Sequence, residues 1–192
     1  MAAGKERPKL LRRPERRRAL VAAAARAFAR NGFGGTNLED VATEAGVSRV
    51  LIYRHFDSKA QLYQAVLEDI RDELMDATGG PAELGPNSVD ALVQVAHTNP
   101  DGFRLFFVHA AREPEFRHHA DWLRTAMTET THRYLERMVS DDAQRRWAAQ
   151  LVPMVVIAAV IAWLDAGSPQ PERTAATIAR IVGAIIHAVD GG

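Results

Sequence analysis

The sequence predicts an all-α protein with a small N-terminal head and a larger helical body. Apolar residues recur at helical spacing from end to end, and no sustained alternation marks a strand. Gly, Pro and polar residues gather between periodic segments in "TGGPAELGPNS", 78–88, which reads as a linker. Charge is also segregated. Residues 1–60 hold 13 Lys and Arg against 6 Asp and Glu, and residues 61–192 hold 11 against 18, although the net charge is zero. This pattern implies a basic end that meets a polyanion and a body that does not. A solvated basic tail would give the same count.

The elements follow in order. Residues 1–13 form a basic arm with Lys5, Arg7, Lys9, Arg12 and Arg13, continued by Arg16–Arg18, and no apolar signal region follows the arm. Such an arm suits the DNA backbone or a minor groove. The head spans 14–60. Its first helix is expected from Pro14 to Asn31, with Leu20, Ala24 and Phe28 a turn apart, a left-handed stop at Gly32 and an apolar contact at Phe33. A second helix follows Asn37, which caps it and pairs with Asp40 in a capping-box pattern; Leu38, Val41, Ala42 and Ala45 form its stripe and Gly46 ends it. Ser48 then caps a third helix, 49–55, and "SKAQ" at 58–61 opens a connecting helix whose body is 61–77.

Beyond the linker, 89–192 holds five helical segments. "VDALVQVAH" is short, and "PDGFRLFFVHAAR" groups Phe103, Phe106, Phe107, Ala110 and Ala111 on one face. The third places Phe116, Ala120, Leu123, Met127, Tyr134 and Met138 at heptad-like steps. The last two are apolar over more than one stripe and so need burial on more than one side. "LVPMVVIAAVIAWL", 151–164, is too short to span a membrane and contains Pro153, so it reads as a buried helix. Without cysteine, the chain has no disulfide and no thiolate metal site, which suits a cytoplasmic protein.

Two short helices joined by a tight turn containing Gly are the signature of a helix-turn-helix, whose second helix enters the major groove. Ile52 and Phe56 fall on one side of that helix, and the remaining residues show outward. Arg49 or Arg54 can reach guanine O6 and N7, and Val50 or Leu51 can pack on a thymine methyl. Ser48, at the start of the helix, belongs to the same DNA-facing set. Thr36, Tyr53, His55 and Lys59 are placed for phosphate oxygens.

Residues 19–67 resemble the DNA-binding head of TetR-like transcriptional regulators. The matching elements are Gly32-Phe33, Thr36, Asp40-Val41-Ala42, Ala45-Gly46-Val47-Ser48, Ile52-Tyr53, His55-Phe56, Ser58-Lys59 and Leu62. The resemblance implies that Thr36, Tyr53, His55 and Lys59 hold the DNA backbone, and that the body binds a ligand and dimerises. The family has Gly and then a small polar residue where this chain has Val50 and Leu51. The operator is therefore expected to be read partly through apolar contact.

For the dimer, a two-fold interface is expected from Met154, Ile157 and Ile161 on one helix and Ile178, Val182, Ile185 and Ile186 on the next. For an effector, Phe103, Phe106, Phe107, Trp122 and Met127, with Trp147 and Trp163, can line a cavity, and His97, His109 and Arg112 can anchor a largely apolar small molecule. Catalysis is not expected, since no Gly-rich phosphate loop, HExxH or GxSxG occurs. His118 and His119 are adjacent and diverge on a helix, so no metal or cofactor is expected there. These features imply a homodimeric, ligand-responsive repressor that binds double-stranded DNA at an inverted repeat, with no membrane partner. Two alternatives stay open at this level: a regulator of the same fold without an effector, and a basic helical module that binds nucleic acid or membrane without specificity.

Overall fold

The computed structural model describes residues 12–80 and 88–190. Residues 1–11 of the expected basic arm and 81–87 of the expected linker lie outside the described residues. Every regular element among the described residues is helical. The head consists of α1 (Arg13–Gly35), α2 (Leu38–Ala45) and α3 (Arg49–Tyr53), and α4 (Lys59–Thr78) leads into the body. The body holds α5 (Ser88–Thr98), α6 (Pro100–Arg104), α7 (Arg117–Leu135), α8 (Asp142–Asp165) and α9 (Pro171–Asp190). A π-helical turn, Leu105–His109, and a 3-10 turn, Ala110–Arg112, continue α6.

Local chemistry explains most boundaries in the head. Asn37 accepts from the amides of Glu39 and Asp40, and Asp40 accepts from the Asn37 amide, so α2 carries the reciprocal cap its sequence predicts. Gly46 ends α2 in the left-handed conformation, at φ 63° and ψ 34°. Ser58 caps α4 through the Gln61 amide, but the Gln61 side chain accepts from Asp57 rather than Ser58, so the expected box is only half formed. Two expectations need correction. Gly32 has the predicted positive φ, 67°, but ψ is −179°, so α1 kinks there and adds one more turn rather than stopping. Ser48 sits at the N-cap position of α3 without a side-chain capping bond, and α3 ends at Tyr53, two residues early.

One core runs from head to body. Leu20, Ala24 and Phe28 of α1, Ile52 and Phe56 beside α3, and Leu62, Tyr63 and Val66 of α4 join Phe103, Phe106 and Phe116 in a single buried cluster. At the junction Tyr63 packs edge-on against Phe28 and Phe116, with ring centroids 4.8 and 4.6 Å apart. The π turn lies against α1, where a Cβ on Gly32 would come 3.5 Å from His109 Nδ1.

The body departs from its expected stripes in two places. The π turn inserts a residue, with the Ala110 amide bonded to Leu105 O, which leaves Phe103, Phe106 and Ala110 buried but turns Ala111 outward. On α7, burial follows Phe116, Ala120, Leu123 and Met127, then passes to Thr130 and Leu135. Tyr134 and Met138 are exposed instead, because a straight helix drifts by about 20° per heptad from a 3.5-residue repeat. Leu135 and Val139 meet Ala148 and Val189 in a small second cluster.

α8 is long and apolar enough by composition to cross a membrane. Here it is the central body helix, burying Val152, Val156, Val160, Trp163 and Leu164 against its neighbours. Its opposite side exposes Trp147 and Met154, at 59% and 60%, and α9 exposes Ile181 beyond its own buried face. Of the expected interface residues, Met154 is exposed and Ile157, Ile161 and Ile185 are half-buried. Ile178 is a correction. It is buried within the subunit, because it shares the inward face of α9 with Ala175. Val182 and Ile186 are half-buried and line a cavity described below.

Candidate DNA-binding face and body cavity

α3 is anchored by two buried residues and presents the others. Ile52 and Phe56 are 0% and 1% exposed. Ser48, Arg49, Val50, Tyr53 and Arg54 are exposed, and Leu51 and His55 are half-buried. Val50, at 64%, projects furthest among the apolar residues of the head. The Arg49 guanidinium donates to the Tyr53 hydroxyl at 3.0 Å and lies over the Tyr53 ring, so the two side chains form one unit a turn apart.

Cations flank this helix on the α1 side. Arg13, Arg16 and Arg17 belong to the first turns of α1, and Arg17 stacks over the Phe56 ring at 5.0 Å. Partial burial, followed by the repulsion of Arg13, Arg16 and Arg17, holds the His55 imidazole below its ordinary range. These guanidinium groups therefore share one patch of positive potential with the end of α3. Arg26 and Arg30 serve a different purpose. They donate to Glu44 at 2.7 and 2.5 Å, lower its carboxyl, and tie α2 to α1.

On the other side of α3 a groove is bordered by the first turns of α2 and α4, through Asn37, Leu38, Ser58 and Lys59, with Arg49 and Tyr53 as its wall. Two helix N-termini and an arginine favour an anion there, and the carboxylates of Glu39 and Asp57 oppose one. One expected phosphate contact, Thr36, is corrected at this point, and a second, Lys59, is engaged within the head. Thr36 is 1% exposed, and its hydroxyl donates to Gly32 O at 2.8 Å, so its side chain seals the kink of α1. Lys59 Nζ donates to Phe33 O at 2.7 Å and Thr36 O at 2.9 Å and lies 4.3 Å from the Phe33 ring centroid. It closes the C-terminal end of α1, where unsatisfied carbonyls attract a cation.

The body holds an apolar cavity of about 230 Å³ among α5, α7, α8 and α9. Val89 and Leu92 form its α5 wall and Val152, Pro153 and Val156 its α8 wall. Ala179, Val182, Gly183 and Ile186 close the α9 side. α7 contributes Met127, Thr131 and Tyr134. Met127 is thus the one expected ligand residue that lines it. Phe103 and Phe106 are fully buried core, and Phe107 packs beside them. Trp122, His97 and Arg112 are exposed, and His109 faces the kink of α1. Their spacing placed the rings on one helical stretch, but that stretch packs toward the head and not toward α9. Trp163 donates to Pro169 O, and Trp147 is on the outer face. Pro153 and Gly183, two helix-disfavoured residues inside apolar helices, border this cavity. Among the described residues no group of three His, Cys, Asp or Glu converges as a metal site. The adjacent rings of His118 and His119 lie 4.2 Å apart, one exposed and one buried.

Residues 20–66 match the profile of bacterial regulatory proteins of the tetR family. The HTH-type transcriptional activator FasR of Mycolicibacterium smegmatis is 33% identical over 114 residues, which cover 55% of this chain and 52% of FasR. The chain thus spans about half the length of that relative. Among solved structures, a TetR-like transcriptional regulator from Rhodococcus superposes with a TM-score of 0.77 at 18% identity, over 95% of this chain and all of that one. FadR of Bacillus subtilis, solved with stearoyl-CoA, superposes with a TM-score of 0.61 at 13% identity, over 91% of this chain and 98% of FadR. At these identities the structures establish the fold.

Proposed function

We propose that this chain, whose residues 20–66 match the tetR-family profile, is a TetR-like regulator: a sequence-specific DNA-binding transcriptional regulator acting as a homodimer in the cytoplasm. The observation that carries this reading is α3. It is held by Ile52 and Phe56 and offers Val50, Tyr53 and Arg54 to a partner, between the arginines of α1 and the N-terminal groove of α2 and α4. A major groove admits a single helix of this kind. Arg54 and Val50 then read bases, and Ser48, Arg49, Tyr53 and His55, with Arg13, Arg16 and Arg17, hold phosphates. Thr36 and Lys59 position the helix.

Exposed Trp147 and Met154 of α8 and Ile181 of α9 supply the dimer face, with Ile157, Ile161 and Ile185 at its edge. A two-fold pair of heads requires an inverted repeat. The body binds an effector that favours dimers whose heads are wrongly spaced for both half-sites, and the protein is a repressor released by that ligand rather than an enzyme. Moving such an equilibrium from 99:1 to 1:99 takes a differential affinity of about 5.5 kcal/mol.

The test is selection of bound duplexes from a random DNA pool at roughly 0.15 M salt, where non-specific attraction is weakened. Recovery of an inverted repeat is expected. Binding without enrichment of any sequence overturns the proposal.

A further inference from the structure

We propose that Val50 recognises the C5 methyl group of one thymine in each half-site, a contact that uracil cannot supply; the inference rests on the DNA-binding reading of α3. Val50 is the most exposed of the large apolar side chains among the described residues, at 64%. Neither helix formation nor the core of the head explains it. A β-branched residue favours a helix less than alanine or leucine does, and an apolar side chain left in water adds nothing to folding.

The geometry puts Val50 on the face that a groove meets. Ile52 and Phe56 are buried, so the side of the helix opposite them, which carries Val50, points away from the core. The Arg54 amide donates to Val50 O at 3.2 Å, which sets Val50 and Arg54 one turn apart on the same outward face. Arg49 is already engaged: its guanidinium donates to the Tyr53 hydroxyl at 3.0 Å and lies 5.4 Å from that ring centroid. Leu51 is half-buried. Val50 and Arg54 are therefore the side chains best placed for base edges, beside the positive patch that Arg13, Arg16 and Arg17 of α1 supply for phosphates.

The chemistry of valine then selects the base. In the major groove the base edges present hydrogen-bonding nitrogen and oxygen atoms, and the one methyl group belongs to thymine. Valine has no donor or acceptor. Against a guanine, adenine or cytosine edge it would displace water without replacing the hydrogen bond, which costs free energy. Against the thymine methyl it buries apolar surface on both sides of the contact. In a helix valine holds one χ1 rotamer about nine times in ten, so its methyl groups are fixed before DNA arrives and little side-chain entropy is lost. Four residues at a rise of about 1.5 Å separate Val50 from Arg54 by about 6 Å, less than two base steps of about 3.4 Å. The thymine therefore lies within two base steps of the guanine that Arg54 reads.

The test uses the duplex recovered by selection, resynthesised with uracil in place of each thymine in turn. Each exchange removes one methyl and keeps every hydrogen-bonding group. Binding of the full-length protein is measured at equilibrium in roughly 0.15 M salt. Uracil at one position per half-site should weaken binding about fourfold, and about fifteenfold when both half-sites carry it. Val50→Ala should bind the thymine duplex more weakly by at least those factors and no longer distinguish it from the uracil duplex. Its salt dependence should not change, because no phosphate contact is lost, and its unfolding midpoint should hold, because alanine is the better helix former. Val50→Ile should keep the preference for thymine. A recovered repeat with no uracil-sensitive position overturns the proposal, as does a sensitivity that persists in Val50→Ala. If that persistent sensitivity disappears in Leu51→Ala, the methyl contact belongs to Leu51. Selection that enriches no sequence overturns the DNA-reading function itself, whereas an inverted repeat bound equally well with thymine and with uracil overturns this inference alone.

Discussion

An ammonium has three N–H groups, and in Lys59 two of them are occupied inside the head, by Phe33 O and Thr36 O. The residue that sequence pattern places on a phosphate therefore acts first as a bridge from the start of α4 to the end of α1. Hydrogen bonds from a charged donor contribute about 1.5–3 kcal/mol net of the exchange with water. Lys59→Met should lower the unfolding free energy by about 1–3 kcal/mol while leaving the salt dependence of operator binding unchanged. A phosphate contact behaves differently, because each one contributes about 0.9 to the slope of log affinity against log salt. An unaltered urea midpoint together with a slope reduced by that amount would return Lys59 to the backbone contacts. Thr36 follows the same logic. Its hydroxyl is closed off by Gly32 O, so the pairing of Thr and Lys in the sequence marks a shared structural joint between α1 and α4.

At the scale of elements, what the sequence discloses is what each helix settles alone. Asn37 with Asp40, Gly46 and Ser58 mark their ends by local hydrogen bonding, and the inward side of α3 follows from the i to i+4 pair Ile52 and Phe56. The π turn was not legible, since nothing in "LFFVH" distinguishes one extra residue per turn until α6 meets α1 at Gly32 and His109. Nor was the end of α7, where Tyr134 leaves the core and Leu135 enters it. The contact of α7 with α4 carries a pH dependence. His119 is 7% exposed, and its Nε2 has no hydrogen-bond partner among the described residues. Burial first, and then His118 and Arg71, hold its imidazole below the ordinary range, while Glu68 pulls the other way. A histidine whose folded pKa is depressed leaves the unfolded chain to bind the proton first. Its contribution is complete above the unfolded value, about 6.5, and is lost as pH falls below it, by at most about 1.4 kcal/mol per unit. Urea midpoints should therefore drop between pH 7.5 and 5.5, and His119→Leu should flatten that drop. An equal drop in the variant would assign it to other groups.

At the scale of the molecule, two features exist only in the assembled body. The cavity needs four helices at once, which explains why the ring-bearing segment, 103–107, was the wrong place to look for it. The proposed dimer face needs the phase of both α8 and α9. Composition alone showed that they are apolar nearly all round, but the structure divides them: Ile178 inward, Val182 and Ile186 on the cavity, and Trp147, Met154 and Ile181 outward. A charged residue at an outward position therefore tests association without entering the subunit core. In a two-fold interface each substitution occurs twice. Burial of one large apolar side chain is worth about 1.5–3 kcal/mol, so Met154→Glu should weaken dimerisation by at least about a hundredfold. Sedimentation should find folded monomers with unchanged helicity and unfolding midpoint measured at low concentration. The same variant should lose binding to the full inverted repeat while its remaining affinity falls to that of a single half-site, because only the pairing of two heads makes the second contact intramolecular. A soluble dimer that survives both Met154→Glu and Ile181→Asp would place the association surface elsewhere on the body.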